Sequence, residues 1–237
     1  MTIICALDTS DIDLAKKLIV DLYDDVQFFK IGLEYFINNG SLGMNAIGSI
    51  TIHNDEPSAE LPGTYWITPE IFLDLKLHDI PKTVHGAVAG LHSFLSRGQN
   101  ITMTTVHAAG GVEMMREAVE AADKKFDIIA VTLLTSIADK RATKIVLKRT
   151  EDALNAGVAG VVCSPKEVKT LRKKFGNDFK IVVPGIRPLW YKADDDQERT
   201  GTPKQVIENG GDFLVIGRPI TSSSSPLDAL QRIKQEL

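Results

Sequence analysis

Residues 71–81 read IFLDLKLHDIP, an apolar run that leads into two aspartates and a lysine before a proline ends it. The run Ile-Phe-Leu predicts a buried strand, on which side chains two residues apart point to the same face. Asp74 and Lys76 are therefore expected side by side at the end of that strand, with Asp79 just beyond them. Two carboxylates and an ammonium group are costly to remove from water unless they are paired. The cluster is therefore either a structural ion network or a catalytic one.

Seven further apolar runs accompany this one, and helical patterns separate most of them. Continuous rather than alternating apolar runs are typical of parallel strands that helices cover. The predicted strands are residues 3–7, 28–31, 71–76, 101–106, 128–133, 160–163, 180–183 and 213–216. Helices are predicted from Ser10 onwards and at about 83–95, 112–122, 144–156, 166–175, 203–209 and 227–237.

Eight strands with intervening helices in 237 residues predict an α/β protein with one domain, a (β/α)8 TIM barrel over residues 1–237. A doubly wound open sheet is the alternative. Against it, the first strand is followed by Asp8-Thr9-Ser10, where a dinucleotide-binding fold has a glycine-rich turn. Residues 38–70 do not fit the repeat, because they are rich in Gly, Ser, Pro and Asn. We expect an atypical insertion there, with a short helix near 42–47 and an irregular or hairpin segment.

The composition is that of an ordinary soluble protein. The net charge of −4 and the lack of a dense basic run argue against nucleic-acid binding. Cys5 and Cys163 lie far apart within apolar runs, which favours buried thiols over a disulfide or a metal site. The amino-terminal residues are typical of a strand rather than a signal peptide, and no apolar stretch approaches the roughly 18 residues of a membrane span. We therefore expect a cytoplasmic protein without a membrane or nucleic-acid partner.

Nearly every predicted strand is followed by a polar or charged residue at its carboxyl end, where barrel enzymes build their active sites. These residues are Asp8, Lys30, Asp74 with Lys76, His107, Thr135 with Ser136, Ser164, Arg187, and Arg218 after Gly217. For Lys30, which lies between Phe29 and Ile31, an ion pair is favoured over a chain that reaches solvent, because lone buried lysines are rare. His107 fits a satisfied core histidine as well as a functional one.

The glycine and arginine after the eighth strand predict an anion site. Gly217 lets backbone N–H groups approach an anion, Arg218 can clamp it with two hydrogen bonds, and barrels commonly bind phosphate near strands seven and eight. Arg187 after strand seven fits either this site or an ordinary loop. Gln197 lies in the polar loop 194–199, which is equally typical of a mobile lid over such a ligand and of plain solvated surface. The five histidines show no metal-binding spacing, so no metal is expected.

Together these segments resemble the orotidine 5′-monophosphate decarboxylase family, of the bacterial type. The motif FLDLKLHDIPKT at residues 72–83 is highly specific to that family. Supporting segments follow in family order at residues 6–8, 29–34, 105–108, 131–136, 160–164, 183–188 and 215–219. Residues 38–70 depart from the family pattern by being longer, and the stretch 136–160 by being shorter.

The resemblance implies a homodimer that decarboxylates orotidine 5′-monophosphate to uridine 5′-monophosphate in pyrimidine synthesis, with no metal or organic cofactor. It implies that Lys76 stabilises and protonates the carbanion at C6 and that Asp74 lies near the substrate carboxylate. It also implies that Asp79 reaches into the neighbouring subunit's site, which completes a Lys-Asp-Lys-Asp array with Lys30. Asp8 and Lys30 are implied to hold the ribose. The further implied substrate contacts are Ile80, Thr83, Thr135 and a phosphate-binding set of Arg187, Gln197, Gly217 and Arg218.

Two other interpretations stay open at this point. A metal-dependent sugar-phosphate decarboxylase or aldolase on the same barrel also carries Asp-x-Lys-x-x-Asp, but such proteins typically have an acid where Lys30 stands and need a magnesium ligand. A catalytically inactive barrel kept for binding or assembly is the second. The intact set of Lys30, Asp74, Lys76 and Asp79 argues against it, because loss of any one would have favoured it.

Overall fold

The computed structural model describes residues 2–53, 63–134, 141–192 and 199–237. The strands are β1 (Thr2–Leu7), β2 (Phe28–Gly32), β3 (Ile50–His53), β4 (Thr64–Ile67), β5 (Glu70–Leu77), β6 (Asn100–His107), β7 (Asp127–Val131), β8 (Gly160–Val162), β9 (Lys180–Val183) and β10 (Phe213–Ile216). The α-helices are α1 (Ile12–Leu22), α2 (Leu33–Gly48), α3 (Pro81–Gly90), α4 (His92–Leu95), α5 (Gly111–Ala122), α6 (Ala142–Asn155), α7 (Val168–Phe175), α8 (Pro203–Glu208), α9 (Arg218–Thr221) and α10 (Pro226–Gln235).

Eight of the strands form a closed parallel barrel in the order β1-β10-β9-β8-β7-β6-β5-β2. Each neighbouring pair is parallel, including the pair of β1 and β10 that closes the ring. The prediction of a single-domain (β/α)8 barrel with these eight strands is confirmed, and closure rules out the doubly wound open sheet. The carboxyl ends of all eight strands consequently meet at one rim.

The strands divide the apolar core into two layers, because successive side chains point to opposite faces. Ile4 of β1 and Phe72 of β5 belong to the core inside the barrel. Cys5 and Leu7 belong to the larger core between the barrel and its helices. In the first of these helices, the Asp11 side chain, rather than Ser10, accepts the amino-terminal hydrogen bonds, and one face of α1 is buried.

The segment after β2 differs from the expectation in its helix. The short helix expected near 42–47 is present as the second part of α2, which spans 16 residues from Leu33 and is interrupted by a kink at Gly40, whose φ is 52°. Tyr35 is fully buried, and its hydroxyl donates to the Gly43 carbonyl across the kink at 2.9 Å. Packing of this kind outweighs the weak helix propensity of the glycine- and asparagine-rich sequence. Strands β3 and β4, at the two ends of the stretch 50–67, then pair antiparallel.

None of the helices within the described ranges combines the length and the apolar character that a membrane span requires.

Candidate active site

Four charged side chains come together at the carboxyl ends of β1, β2 and β5. Lys30 Nζ lies 2.7 Å from Asp8 Oδ1 and 3.9 Å from Asp74 Oδ2. Lys76 Nζ lies 2.6 Å from the same Asp74 Oδ2. The four residues form a row of alternating charge, Asp8–Lys30–Asp74–Lys76, which we call the charged row. Strand order produces it, because β2 lies between β1 and β5 in the barrel.

The middle of the charged row is buried and its ends are more open. Lys30 and Asp74 are each 8% exposed, whereas the side chain of Asp8 is 60% exposed. As the sequence predicts, Lys30 is paired rather than extended to solvent. A side chain at Gly32 would crowd this pair, since a Cβ there would lie 3.2 Å from both Asp8 Oδ1 and Lys30 Nζ. The glycine therefore leaves room for the two charges to meet.

The charges around Asp74 keep it ionised. Burial, the largest influence, would raise the pKa of its carboxyl group. The charges of Lys30 and Lys76, with hydrogen bonds from Lys76 and Thr105, more than offset burial and lower the pKa below its usual value. Asp74 therefore stays a carboxylate at neutral pH.

Lys76 has an unusual backbone for a strand residue. Its φ is 51°, in the left-handed region that residues with a Cβ seldom adopt. The register of β5 on β6 slips at the same place, from Leu73 opposite Thr104 to Leu77 opposite Val106. The sequence correctly predicts Asp74 and Lys76 side by side, but a bulge shapes their approach as well as regular strand alternation.

A cavity of about 370 Å³ adjoins the Asp8 end of the charged row, which we call its open end. Asp8 and Lys30 are among its lining residues. Gly185 and Arg187 after β9, with Gly217 and Arg218 after β10, also line it. The three cations and single carboxylate named here make the cavity suitable for a small anionic ligand.

Other candidates from the sequence lie outside this group. Asp79, Ile80 and Thr83 follow β5 and are exposed, with Ile80 66% exposed. Asp79 Oδ1 accepts a hydrogen bond from Ile80 N at 2.7 Å and does not join the charged row of its own chain. Thr135 and Gln197 lie outside the described residues.

Comparison with known proteins identifies relatives over nearly the whole chain. A family model described as "Orotidine 5'-phosphate decarboxylase / HUMPS family" matches residues 1–233. A protein of Paramagnetospirillum magneticum named orotidine 5′-phosphate decarboxylase is 39% identical, over 98% of this chain and 96% of its own length. A protein of the same name from Ehrlichia canis is 40% identical, over 98% of this chain and 95% of its own length. The chain belongs to the orotidine 5′-phosphate decarboxylase / HUMPS family.

The relationship extends to solved structures. The crystal structure of orotidine 5′-phosphate decarboxylase from Lactobacillus acidophilus matches with a TM-score of 0.76 and 35% identity, and covers 99% of this chain and 98% of that chain. The resemblance inferred from the sequence is therefore confirmed, and the relationship supports a decarboxylase, that is, a carboxy-lyase.

Sequence reasoning missed one buried group in this family member, Thr105 of β6. Its hydroxyl donates to Asp74 Oδ1 at 2.9 Å and accepts from Lys76 N at 2.8 Å. The sequence could have indicated Thr105, because it lies two residues before His107 and therefore on the same face of β6.

His107 itself is half-buried and stacks on His78, with 5.5 Å between ring centroids. Burial, followed by the charge of Arg149, lowers its pKa.

Ser164, another residue predicted at the rim, is not among the residues that line the cavity but belongs to a buried polar cluster. It is fully buried, and its hydroxyl donates to Glu167, which forms a buried ion pair with Arg199. Arg199 lies two residues before Gly201, whose carbonyl accepts from Arg187 N at 2.9 Å. The buried cluster of Ser164, Glu167 and Arg199 thus braces the chain that carries Arg187.

Among the described ranges, no group of three or more His, Cys, Asp and Glu side chains is arranged to hold a metal ion.

Proposed function

We propose that this chain converts orotidine 5′-monophosphate to uridine 5′-monophosphate and CO2, a step of UMP biosynthesis, without a metal or organic cofactor. The observation that carries the proposal is the charged row beside a cavity lined by Arg187 and Arg218. Relatives named orotidine 5′-phosphate decarboxylase, aligned over nearly their full length, support the same assignment.

Lys76 is the proposed proton donor. When the bond between C6 and the carboxylate breaks, its electron pair stays on C6 and CO2 departs. The ammonium group of Lys76 stabilises this developing carbanion and then gives it a proton, which forms the C6–H bond of the product. The contact of 2.6 Å with Asp74 holds the ammonium group in position.

Asp74 is proposed to face the carboxylate that is lost. Because the charges of Lys30 and Lys76 help to keep it ionised, it repels a second carboxylate placed next to it. That repulsion is relieved as the substrate carboxylate becomes neutral CO2. An enzyme lowers a barrier by roughly 8–23 kcal/mol, so we assign the effect to the preorganised row rather than to one lysine.

The rest of the substrate is proposed to fill the cavity. Asp8 and Lys30 would hold the ribose hydroxyls at the open end of the charged row. The proposed phosphate contacts are Arg187, Gln197, Gly217 and Arg218, and Thr135 is a further proposed substrate contact. Phosphate binding far from C6 supplies energy for orientation at the reacting carbon.

We also propose a homodimer in which Asp79, Ile80 and Thr83 serve the neighbouring subunit's site. Their exposure, and the hydrogen bond of Asp79 to Ile80 N rather than to a lysine of its own charged row, support this arrangement. Mixing inactive Lys76→Ala and Asp79→Ala proteins tests it. Mixed dimers would hold one intact site of two, so about a quarter of wild-type activity should return. Mixtures that exchange subunits but stay inactive would contradict the shared site.

The cytoplasmic location stays a prediction.

Ultraviolet-monitored turnover of orotidine 5′-monophosphate, with and without EDTA, tests the reaction. We expect rapid loss of substrate that the chelator does not change. Folded protein without turnover would contradict the proposal, and sugar phosphates with magnesium would then test the metal-dependent activity of related barrels.

A further inference from the structure

Thr105 contacts both Asp74 and Lys76 of the candidate site. It stands on β6 opposite the bulge of β5 and is fully buried. Its hydroxyl contacts the carboxylate of Asp74 and the backbone of Lys76, at 2.9 Å and 2.8 Å. One hydroxyl therefore joins the two residues that the proposed reaction depends on most.

We propose that Thr105 is a positioning residue for decarboxylation, whose hydroxyl fixes both the direction of the Asp74 carboxylate and the left-handed backbone of Lys76. This inference rests on the proposed function.

The hydrogen-bond directions follow from the chemistry of the groups. An ionised carboxylate only accepts and a backbone N–H only donates, so the single hydroxyl proton of Thr105 goes to Asp74 Oδ1 and its lone pair accepts from Lys76 N. Asp74 Oδ2 is occupied by Lys76 Nζ at 2.6 Å and faces Lys30 Nζ at 3.9 Å. Because both oxygens are engaged, the carboxylate cannot rotate without losing contacts on both sides.

The second contact acts on the backbone. A φ of 51° is disfavoured for a residue with a Cβ and persists where surrounding contacts hold it. Lys76 N, inside the register slip of β5 on β6, has the Thr105 hydroxyl as its acceptor. Without that acceptor, the bulge that aims the Lys76 side chain would lose its hydrogen bond to β6.

Thr104 provides a matched control on the same strand. It is also fully buried, and its hydroxyl donates to the Leu73 carbonyl at 2.8 Å. This hydrogen bond of the Thr104 hydroxyl involves neither Asp74 nor Lys76. Replacing either threonine by valine removes one buried hydroxyl from β6, but only the change at Thr105 removes hydrogen bonds to Asp74 and Lys76.

The experiment compares Thr105→Val, Thr105→Ser and Thr104→Val for kcat, KM and the affinity for uridine 5′-monophosphate. We expect Thr105→Val to lower kcat by roughly 10- to 100-fold, because small misplacements of reacting groups have effects of this size. Its affinity for uridine 5′-monophosphate should change little, since that ligand lacks the carboxylate. Thr105→Ser should recover most of kcat, and Thr104→Val should keep turnover near the wild-type value.

The pH profile of kcat separates positioning from general loss of structure. The groups that face Asp74 are Lys30 from β2, Lys76 from β5 and Thr105 from β6, with Asp8 of β1 beyond Lys30. A hydrogen bond to the charged form lowers the pKa of a carboxyl group, so its loss raises the pKa of Asp74. The acid limb of kcat should therefore move to higher pH in Thr105→Val and not in Thr104→Val.

Equal kcat in Thr105→Val and wild type would overturn the inference, as would equal losses in both valine variants. Should Thr105→Val not fold, Thr105→Ala against Thr105→Ser makes the same comparison of a missing with a retained hydroxyl. Absence of turnover in the wild type would overturn the proposed function, whereas an active wild type with an unaffected Thr105→Val would overturn this inference alone.

Discussion

The two sides of the candidate site are built differently. The charged row lies on barrel strands or directly after one, and each charge in it meets an opposite charge of the same chain. The second part of the site, which we call the wall, contains Arg187 and Arg218 and follows the ends of β9 and β10. Hydrogen bonds between neighbouring strands hold the row, whereas the Arg187 part of the wall depends on the buried cluster behind it.

This difference separates two tasks. Rigid strand positions suit groups that must meet a reacting atom closely, and loops on a rigid scaffold suit ligand binding. A change at Asp74 or Lys76 of the row should therefore reduce turnover more than affinity. A change in the wall, or in the cluster that braces it, should reduce affinity or stability more than the chemical step.

The largest expected effect comes from Lys76→Ala. The variant loses both the proton donor and the cation beside the carbanion, so kcat should fall by roughly 10⁴-fold or more. Binding of uridine 5′-monophosphate should remain close to wild type, because the wall is intact. Single-turnover kinetics and calorimetric titration measure the two quantities. Lys173→Ala, at an exposed position of α7, is the control, and full activity of Lys76→Ala would refute the mechanism.

The next effect concerns the buried cluster of Ser164, Glu167 and Arg199, which supports the chain that carries Arg187. Glu167 and Arg199 are 3% and 5% exposed, so Glu167→Gln leaves a buried guanidinium without its counter-charge. Loss of one partner of a buried pair costs about 3–5 kcal/mol, which lowers Tm by roughly 6–20 °C for a chain of this size. Thermal unfolding at fixed protein concentration measures it. Glu113→Gln, in the exposed pair with Arg116, should shift Tm by no more than a few degrees. Equal shifts would contradict a special role for the buried pair.

The sequence was enough for the barrel because most of the parallel strands are largely apolar runs that helices cover. It was less informative for α2, where the helix depends on the burial of Tyr35, Met44 and Ile47 rather than on local propensity. Composition rich in glycine and asparagine indicated irregular chain there, but tertiary packing determined the outcome.

The sequence also indicated which charged residue types gather at the rim, but not how two of them are held. A period of two residues assumes a regular strand, so it cannot reveal the left-handed backbone of Lys76 or the place of Thr105. Nor does a local pattern reveal that Glu167, which accepts a hydrogen bond from Ser164, pairs with Arg199, 32 residues further along the chain. Both features depend on contacts between distant parts of the chain.

The smallest of these effects, and the sharpest test of the wall, is Arg218→Ala. A hydrogen bond to a charged group contributes about 1.5–3 kcal/mol, so affinity for uridine 5′-monophosphate should fall by roughly 10- to 100-fold. Uridine, which lacks the phosphate, should bind the variant as weakly as it binds the wild type. Arg116→Ala, in the exposed pair on α5, is the matched control. If Arg218→Ala weakened uridine and its monophosphate equally, the arginine would shape the cavity rather than bind the phosphate. If it weakened neither, Arg218 would not bind the phosphate, and the proposed role of the charged row in turnover would be unaffected.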